Sequence, residues 1–251
     1  GLRNWGVCGS GTHQSPINLE LNVQEEENLD LLRWVAPVES YIATLSPPAL
    51  TNTFRLDGLK GTMRFRGEDF ELSHLVVHTP SEHRWIGRRH AAEIQFYHTR
   101  VRSKDPALAV AVFVEPGPAT PPALQPLMAA VHGYLATQID VQQQQRVRVT
   151  LPPALLPTAL ATVEMNTARL SADVLGFASN YANYFSYYGS ETQPPCREGV
   201  TWAVLKTAVG LRQEDLDALL QAQGPTARPT QEMHGRPVYD IATGVAFQTP
   251  A

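Results

Sequence analysis

Charge is scarce in this sequence. Asp, Glu, Lys and Arg make up 18% of its 251 residues and leave a net charge of −4, against roughly 25% charged residues in an average soluble domain. No Lys/Arg-rich stripe is present, and without one a chain cannot displace counterions from a phosphate backbone, which argues against nucleic acid as a partner. The same balance provides no field to steer a polyanion such as a sulfated glycan. Disorder is excluded too, because 43% hydrophobic residues are too many to stay solvated. Long apolar runs are missing: stretches such as Ala107 to Val114 fall far short of the ~20 residues of a membrane-spanning helix. No apolar signal segment opens the chain, which is therefore expected to start as a mature or a cytosolic form. Cysteine is nearly absent. Cys8 and Cys196 are too few for a disulfide-built miniprotein, and composition alone leaves them as a bonded pair or two buried thiols.

What the chain does have is proline, 20 residues spread over its whole length, as in Ser46-Pro47-Pro48, Thr120-Pro121-Pro122, Leu151-Pro152-Pro153 and Pro194-Pro195. Such punctuation breaks long helices and suits short strands joined by turns. Strand-like alternation or β-branched enrichment marks Thr62 to Arg66, Phe70 to His78, Ala91 to His98, Ala107 to Val114 and Arg146 to Leu151. Helical spacing predicts a helix over Leu124 to Thr137, with Leu124, Leu127, Met128, Val131 and Leu135 inward. A second is predicted over Gln213 to Gln223, with Leu216, Leu219 and Leu220 on one face and Gly224 as its stop. The acidic run Glu25-Glu26-Glu27 reads as a solvated turn or helix start. With no internal repeat and no linker, residues 1–251 are expected to form one mainly β (α+β) domain.

Histidine is the residue type that raises a functional question. His74, His78, His83 and His98 crowd one stretch. A catalytic zinc needs three protein ligands and an open position for water. On a strand, His74, Val76 and His78 share a face, with the two histidines roughly 13 Å apart, too far to ligate one ion without a bulge. On the next strand Glu93, Gln95 and Tyr97 share a face and His98 lies on the other. Taken singly, His74, His83, His90, His98 and His132 read as hydrogen-bonded or half-buried structural residues.

Four blocks of sequence carry a family resemblance. They are Trp5-Gly6-Val7-Cys8 with Gln14-Ser15-Pro16-Ile17-Asn18-Leu19; Leu72 to His83, ending in His78-Thr79-Pro80-Ser81-Glu82-His83; Glu93 to His98; and Tyr188-Gly189-Ser190-Glu191-Thr192-Gln193-Pro194-Pro195-Cys196 with Val200-Thr201-Trp202. In order and spacing the chain resembles the α-class carbonic anhydrases over nearly its whole length, and Thr226 to Arg236 resembles the family's closing arginine-rich loop, so that the domain is expected to be complete. The resemblance implies a central, twisted, mostly antiparallel sheet with short peripheral helices and a conical cleft reaching its centre.

It also marks positions. The paired zinc histidines of the family's central strand correspond here to Val76 and His78, and the third ligand to Gln95, so that His78 is the one ligand-type residue left. Valine has no donor atom and an amide oxygen is a poor zinc ligand; no bound zinc and no other cofactor are expected. The proton-shuttle position falls near Arg55, which cannot exchange protons near neutral pH. Tyr97 is expected to fill the space of a small gas molecule, and Glu191 to face an apolar wall, with Gln193 and Trp202 also in the cleft. Thr192, Glu82, Glu93 and His83 are retained; in the family Thr192 and Glu82 hydrogen-bond to orient zinc-bound hydroxide, and here they read as vestigial. Cys8 and Cys196 match the family's disulfide, which implies an oxidising compartment: extracellular, cell-surface, an organellar lumen or an intermembrane space. Carbonic-anhydrase-related proteins and the anhydrase-like ectodomains of receptor phosphatases have likewise lost zinc histidines. The expectation is therefore an inactive binding or scaffolding module, or accessory subunit, with a protein partner. Two alternatives stand beside it. One is an active or weakly active enzyme whose bulged strand swings His74 or His98 toward His78, with Gln95 or Glu93 completing the site. The other is a cleft repurposed for a small polar ligand through Arg55, Glu191, Gln193 and Tyr97.

Overall fold

The computed structural model describes residues 7–20, 24–25, 32–101, 103–146, 161–175 and 183–241. Its strands are β1 (Asn18–Leu19), β2 (Gln24–Glu25), β3 (Arg33–Pro37), β4 (Tyr41–Ser46), β5 (Phe54–Asp57), β6 (Gly61–Phe65), β7 (Glu68–His78), β8 (Arg84–Trp85), β9 (Ala92–Arg100), β10 (Pro106–Pro116), β11 (Ala161–Met165), β12 (Tyr184–Ser190), β13 (Glu198–Leu211) and β14 (Tyr239–Ile241). The helices are α1 (Val7–Ser10), α2 (Pro48–Thr51), α3 (Gln125–Arg146), α4 (Thr167–Asp173) and α5 (Gln213–Gln223). Among the described residues twelve strands form one mixed sheet, ordered β11-β4-β5-β7-β9-β10-β13-β12-β14-β2, with β6 joining β3 to the outer half of β7. Most neighbours are antiparallel; β10 with β13 and β14 with β2 are parallel.

The central strands are buried on both faces, which is why β10 reads as one apolar run instead of alternating. Leu108, Val110, Val112 and Val114 enter one core, together with Leu75, Val77, Ile94 and Phe96 from β7 and β9. Helices α3 and α5 cover that face through Leu127, Val131, Leu216 and Leu219. Ala109, Ala111 and Phe113 point to the other side, where they meet Ile17, Leu19, Val76, Tyr97, Tyr187 and Trp202. The candidate site lies on this second face. Each apolar side chain of this size contributes roughly 1.5–3 kcal/mol when buried.

Several expectations need correction. The helix expected over Leu124 to Thr137 runs from Gln125 to Arg146, 22 residues, and so extends beyond its expected end. In α5 the inward residues are Asp215, Leu216, Ala218 and Leu219, while Leu220 is half exposed; the apolar stripe is narrower than its periodicity suggested. Gly224 ends that helix with φ +66°, a conformation a side chain would oppose. Glu25 pairs in β2 beside Asp240 and is therefore strand, while Glu26 and Glu27 of the acidic run lie outside the described residues. The strand expected over Arg146 to Leu151 falls on the last residue of α3 and on residues outside those described.

Candidate functional site

Strand register brings the marked positions together. In the antiparallel β7–β9 pair, His74 stands opposite Tyr97, Val76 opposite Gln95 and His78 opposite Glu93. Directly opposed residues share a face, so all six line the same side of the sheet. Strand β5 extends that face, with Arg55 opposite Val76 and Asp57 opposite His74. A register shift between Leu72 and His74 marks a bulge in β7, but it does not recruit the neighbouring histidines. The His74 ring is stacked on Tyr97 with centroids 4.8 Å apart, and His98 lies on the opposite face of the sheet near Trp34.

Gln95 is the centre of this floor. Its Nε2 donates to Glu82 Oε2 at 2.9 Å and to Glu93 Oε1 at 2.8 Å. Its Oε1 accepts from Tyr97 Oη at 2.9 Å and from Thr192 Oγ1 at 3.4 Å. The amide's two donors are thereby used, and so are both lone pairs of its oxygen. Thr192 thus bonds to Gln95, not to Glu82 as the resemblance implied. Glu82 instead accepts the Arg228 backbone N–H at 2.9 Å through Oε1. His78 Nε2 is 3.3 Å from Glu82 Oε2, but it is not aligned for a hydrogen bond and is left without one; its Nδ1 lies 3.4 Å from Thr226 Oγ1.

A second layer supports the floor. Glu93 takes the His83 Nδ1 hydrogen bond at 2.7 Å and the His83 backbone N–H at 2.8 Å. Burial alone would raise the Glu93 carboxyl, but the adjacent His83 and the hydrogen bonds from His83 and Gln95 outweigh it and hold the group at about 2. His83 Nε2 is 2.7 Å from Tyr187 Oη, and Tyr187 donates to Ser15 Oγ at 2.8 Å. Burial, with a smaller push from Glu82, raises the Tyr97 hydroxyl far above its usual range, so it stays a neutral donor. Burial and the nearby Arg55 lower His74 to about 3, while burial lowers His98 to about 4.

Solvent barely reaches this surface: Gln95 is 0% exposed, His78 1%, Val76 2%, and Thr192 and Tyr97 3% each. Tyr97 also packs edge-on against Trp202 at 5.7 Å. The other cleft residues have partners of their own. Arg55 pairs with Asp57 at 2.8 Å, and Gln193 Nε2 donates to Thr53 Oγ1 at 3.1 Å. Glu191 does not face an apolar wall; it turns to Arg197, Oε2 to Nε 3.0 Å. The Cys8–Cys196 disulfide is formed and ties α1 to the loop that carries Thr192. Arg228 reinforces the same junction by donating to Cys8 O at 2.7 Å and Gln14 Oε1 at 3.2 Å. Sequence reasoning missed Asp57, Tyr187, Ser15 and Arg228. Only the cross-strand register could have pointed to Asp57; the others meet across long loops. It also expected hydrogen-bonded or half-buried histidines, whereas His98 is fully buried with neither ring nitrogen well bonded, the adjacent Leu108 and Phe96 backbone offsetting only part of the burial.

A large mixed sheet with few helices, a polar floor at its centre and a bonded Cys8–Cys196 pair define a carbonic-anhydrase-like fold. The profile of the family described as eukaryotic-type carbonic anhydrase matches residues 2–242, and this chain belongs to that family. Alpha carbonic anhydrase 4 of Arabidopsis thaliana is 27% identical over 246 residues, spanning 94% of this chain and 78% of that protein. Among solved structures, dioscorin complexed with ascorbate superposes with a TM-score of 0.74 at 25% identity, covering 95% of this chain and 89% of that one. The α-carbonic anhydrase of Photobacterium profundum gives 0.69 at 24% identity over 95% and 94%, a likeness of fold.

Proposed function

We propose that this chain is a member of the carbonic anhydrase family without hydratase activity, acting as a binding or scaffolding module or as an accessory subunit of a larger assembly. The observation that carries the reading is the Gln95 amide, whose donors are both committed to Glu82 and Glu93 and whose oxygen is committed to Tyr97 and Thr192. The residues do not fit a tetrahedral zinc. Of the three marked positions only His78 offers an imidazole, Val76 offers no donor atom, and Gln95 turns its NH2 group toward the carboxylates. A single imidazole cannot hold the ion that would bring a bound water's pKa toward 7. Tyr97, stacked on His74 and edge-on to Trp202, packs beside it. The disulfide supports residence in an oxidising compartment, and a protein partner is the proposed ligand class.

The test is the zinc content of purified full-length protein together with its rate of carbon dioxide hydration. Substoichiometric zinc and a rate equal to buffer are expected; near one equivalent of zinc with measurable hydration refutes the reading. The binding role is tested by crosslinking in the native compartment, where a chain that stays uncrosslinked and migrates as a single copy refutes it. A second reading gives the rim of the cleft a small polar ligand. It is favoured by the part-exposed Arg55–Asp57 pair and by dioscorin, solved with ascorbate. A melting-temperature shift with ascorbate that is lost in Arg55→Ala supports it, and no shift at millimolar ascorbate refutes it.

A further inference from the structure

Two buried carboxylates meet one nitrogen beneath the site. Glu82 is 1% exposed and Glu93 0%, and an oxygen of each lies within 2.9 Å of Gln95 Nε2. Like charges brought this close without water repel, and one is normally driven neutral unless positive charge stands between them. In the dry interior an amide N–H supplies that positive end as a dipole, and the NH2 group has one hydrogen for each carboxylate.

From this geometry we infer that Gln95 is a positioning residue whose amide takes the place of a cation, bridging Glu82 and Glu93 and thereby latching Tyr97 and Thr192 over the cleft floor. The orientation is fixed from both ends. A flipped amide would set its oxygen against two carboxylates and its NH2 against the Tyr97 and Thr192 hydroxyls that now donate to it. The remaining groups around the pair do not supply the bridge. His83 serves Glu93 alone, and Arg228 reaches Glu82 through its backbone N–H while its guanidinium serves Cys8, Gln14 and Ser15. Arg89 bonds to the backbone carbonyls of Ser81 and Glu82, not to a carboxylate. His78 Nε2 stands 3.3 Å from Glu82 without a hydrogen bond. Through the buried Thr192 the latch holds the loop between β12 and β13, which the disulfide also ties down.

The inference rests on the metal-free reading of the floor, and a charge exchange tests it separately. Gln95→Glu keeps the shape but sets a third carboxylate against two others, and its melting temperature is expected to fall by about 10 °C or more. Gln95→Glu combined with Glu82→Gln relieves one of the two new carboxylate contacts, because the amide at position 82 can then donate to the carboxylate at position 95, and is expected to recover about half of that loss. Limited proteolysis between Glu191 and Arg197 follows the same order, fast in the single variant and slow in the exchanged pair. A Gln95→Glu protein that melts within a few degrees of wild type overturns the inference, and so does an exchanged pair no more stable than the single variant. Where Gln95→Glu yields no folded protein, the pair decides: folded, it supports the latch, and unfolded, it refutes it. Zinc measured in the wild type bears only on the metal-free reading, because none of these melting comparisons depends on added metal.

Discussion

Lowering the pH from about 7 to about 5 should weaken this fold through two histidines that it keeps neutral. His98 is fully buried, and burial holds it at about 4; His74, pressed on Tyr97, is held at about 3 by burial and Arg55. In the unfolded chain both titrate near 6.5. Between these values the unfolded state binds protons that the native state refuses, so stability rises with pH across the window. The full contribution is present above pH ~6.5 and is lost progressively as pH falls toward the folded values. Linkage gives about 2 kcal/mol for each group at pH ~5, and roughly 4 kcal/mol together. That is a large part of the 5–15 kcal/mol that holds a typical domain. The assay is urea unfolding in half-unit pH steps, comparing wild type with His98→Phe. Phenylalanine keeps a ring beside Trp34, 5.9 Å away in the native pair, and cannot take up a proton. The variant is expected to lose only about half as much stability over the window. An acid slope identical to wild type would refute the account of His98 as a buried neutral base.

Three other outcomes follow from the same contacts. Val76→His together with Gln95→His places three imidazoles on one face of the β7–β9 pair, and should bind one equivalent of zinc, adding about 4 kcal/mol of stability at a thousandfold excess over its Kd; binding of none by a folded double variant refutes the assigned ligand positions. Asp215 is fully buried and accepts hydrogen bonds from Thr120, His132 and Arg212, so Asp215→Ala should cost about 3 kcal/mol in urea unfolding, and a change below about 0.5 kcal/mol would show that these bonds contribute little. Replacing Cys8 and Cys196 with serine opens a covalent loop closed across 188 residues, with an expected loss of up to roughly 5 kcal/mol on the chain-entropy account; unchanged unfolding under oxidising conditions would refute that account.

How much of this was legible in the sequence depends on the range of each interaction. Alternation located β7, and β-branched and aromatic enrichment located β9 and β10, to within two residues or so, and Gly224 marked the end of α5, because those signals are local. Leu220 misled for the same reason: spacing cannot say how wide a stripe the neighbouring elements cover. Val76, His78 and Gln95 could be aligned on one face from strand geometry and the family blocks. The bonding of Gln95 could not, since Glu82 and Thr192 arrive from separate loops. Glu191 was misplaced because nothing local announced Arg197 as its partner.

The closed floor has a consequence for the balance between stability and turnover. A site kept for catalysis leaves dipoles aimed at charge that develops only in the transition state, and the resting protein carries them incompletely satisfied. Here Tyr97, Thr192, Gln95, Glu82 and Glu93 satisfy one another. What would be an opening for solvent is part of the interior, and substitutions there should be judged by the rules of core packing. On the proposed binding role, variation in recognition falls to the exposed loops, whose residues can change without disturbing the centre.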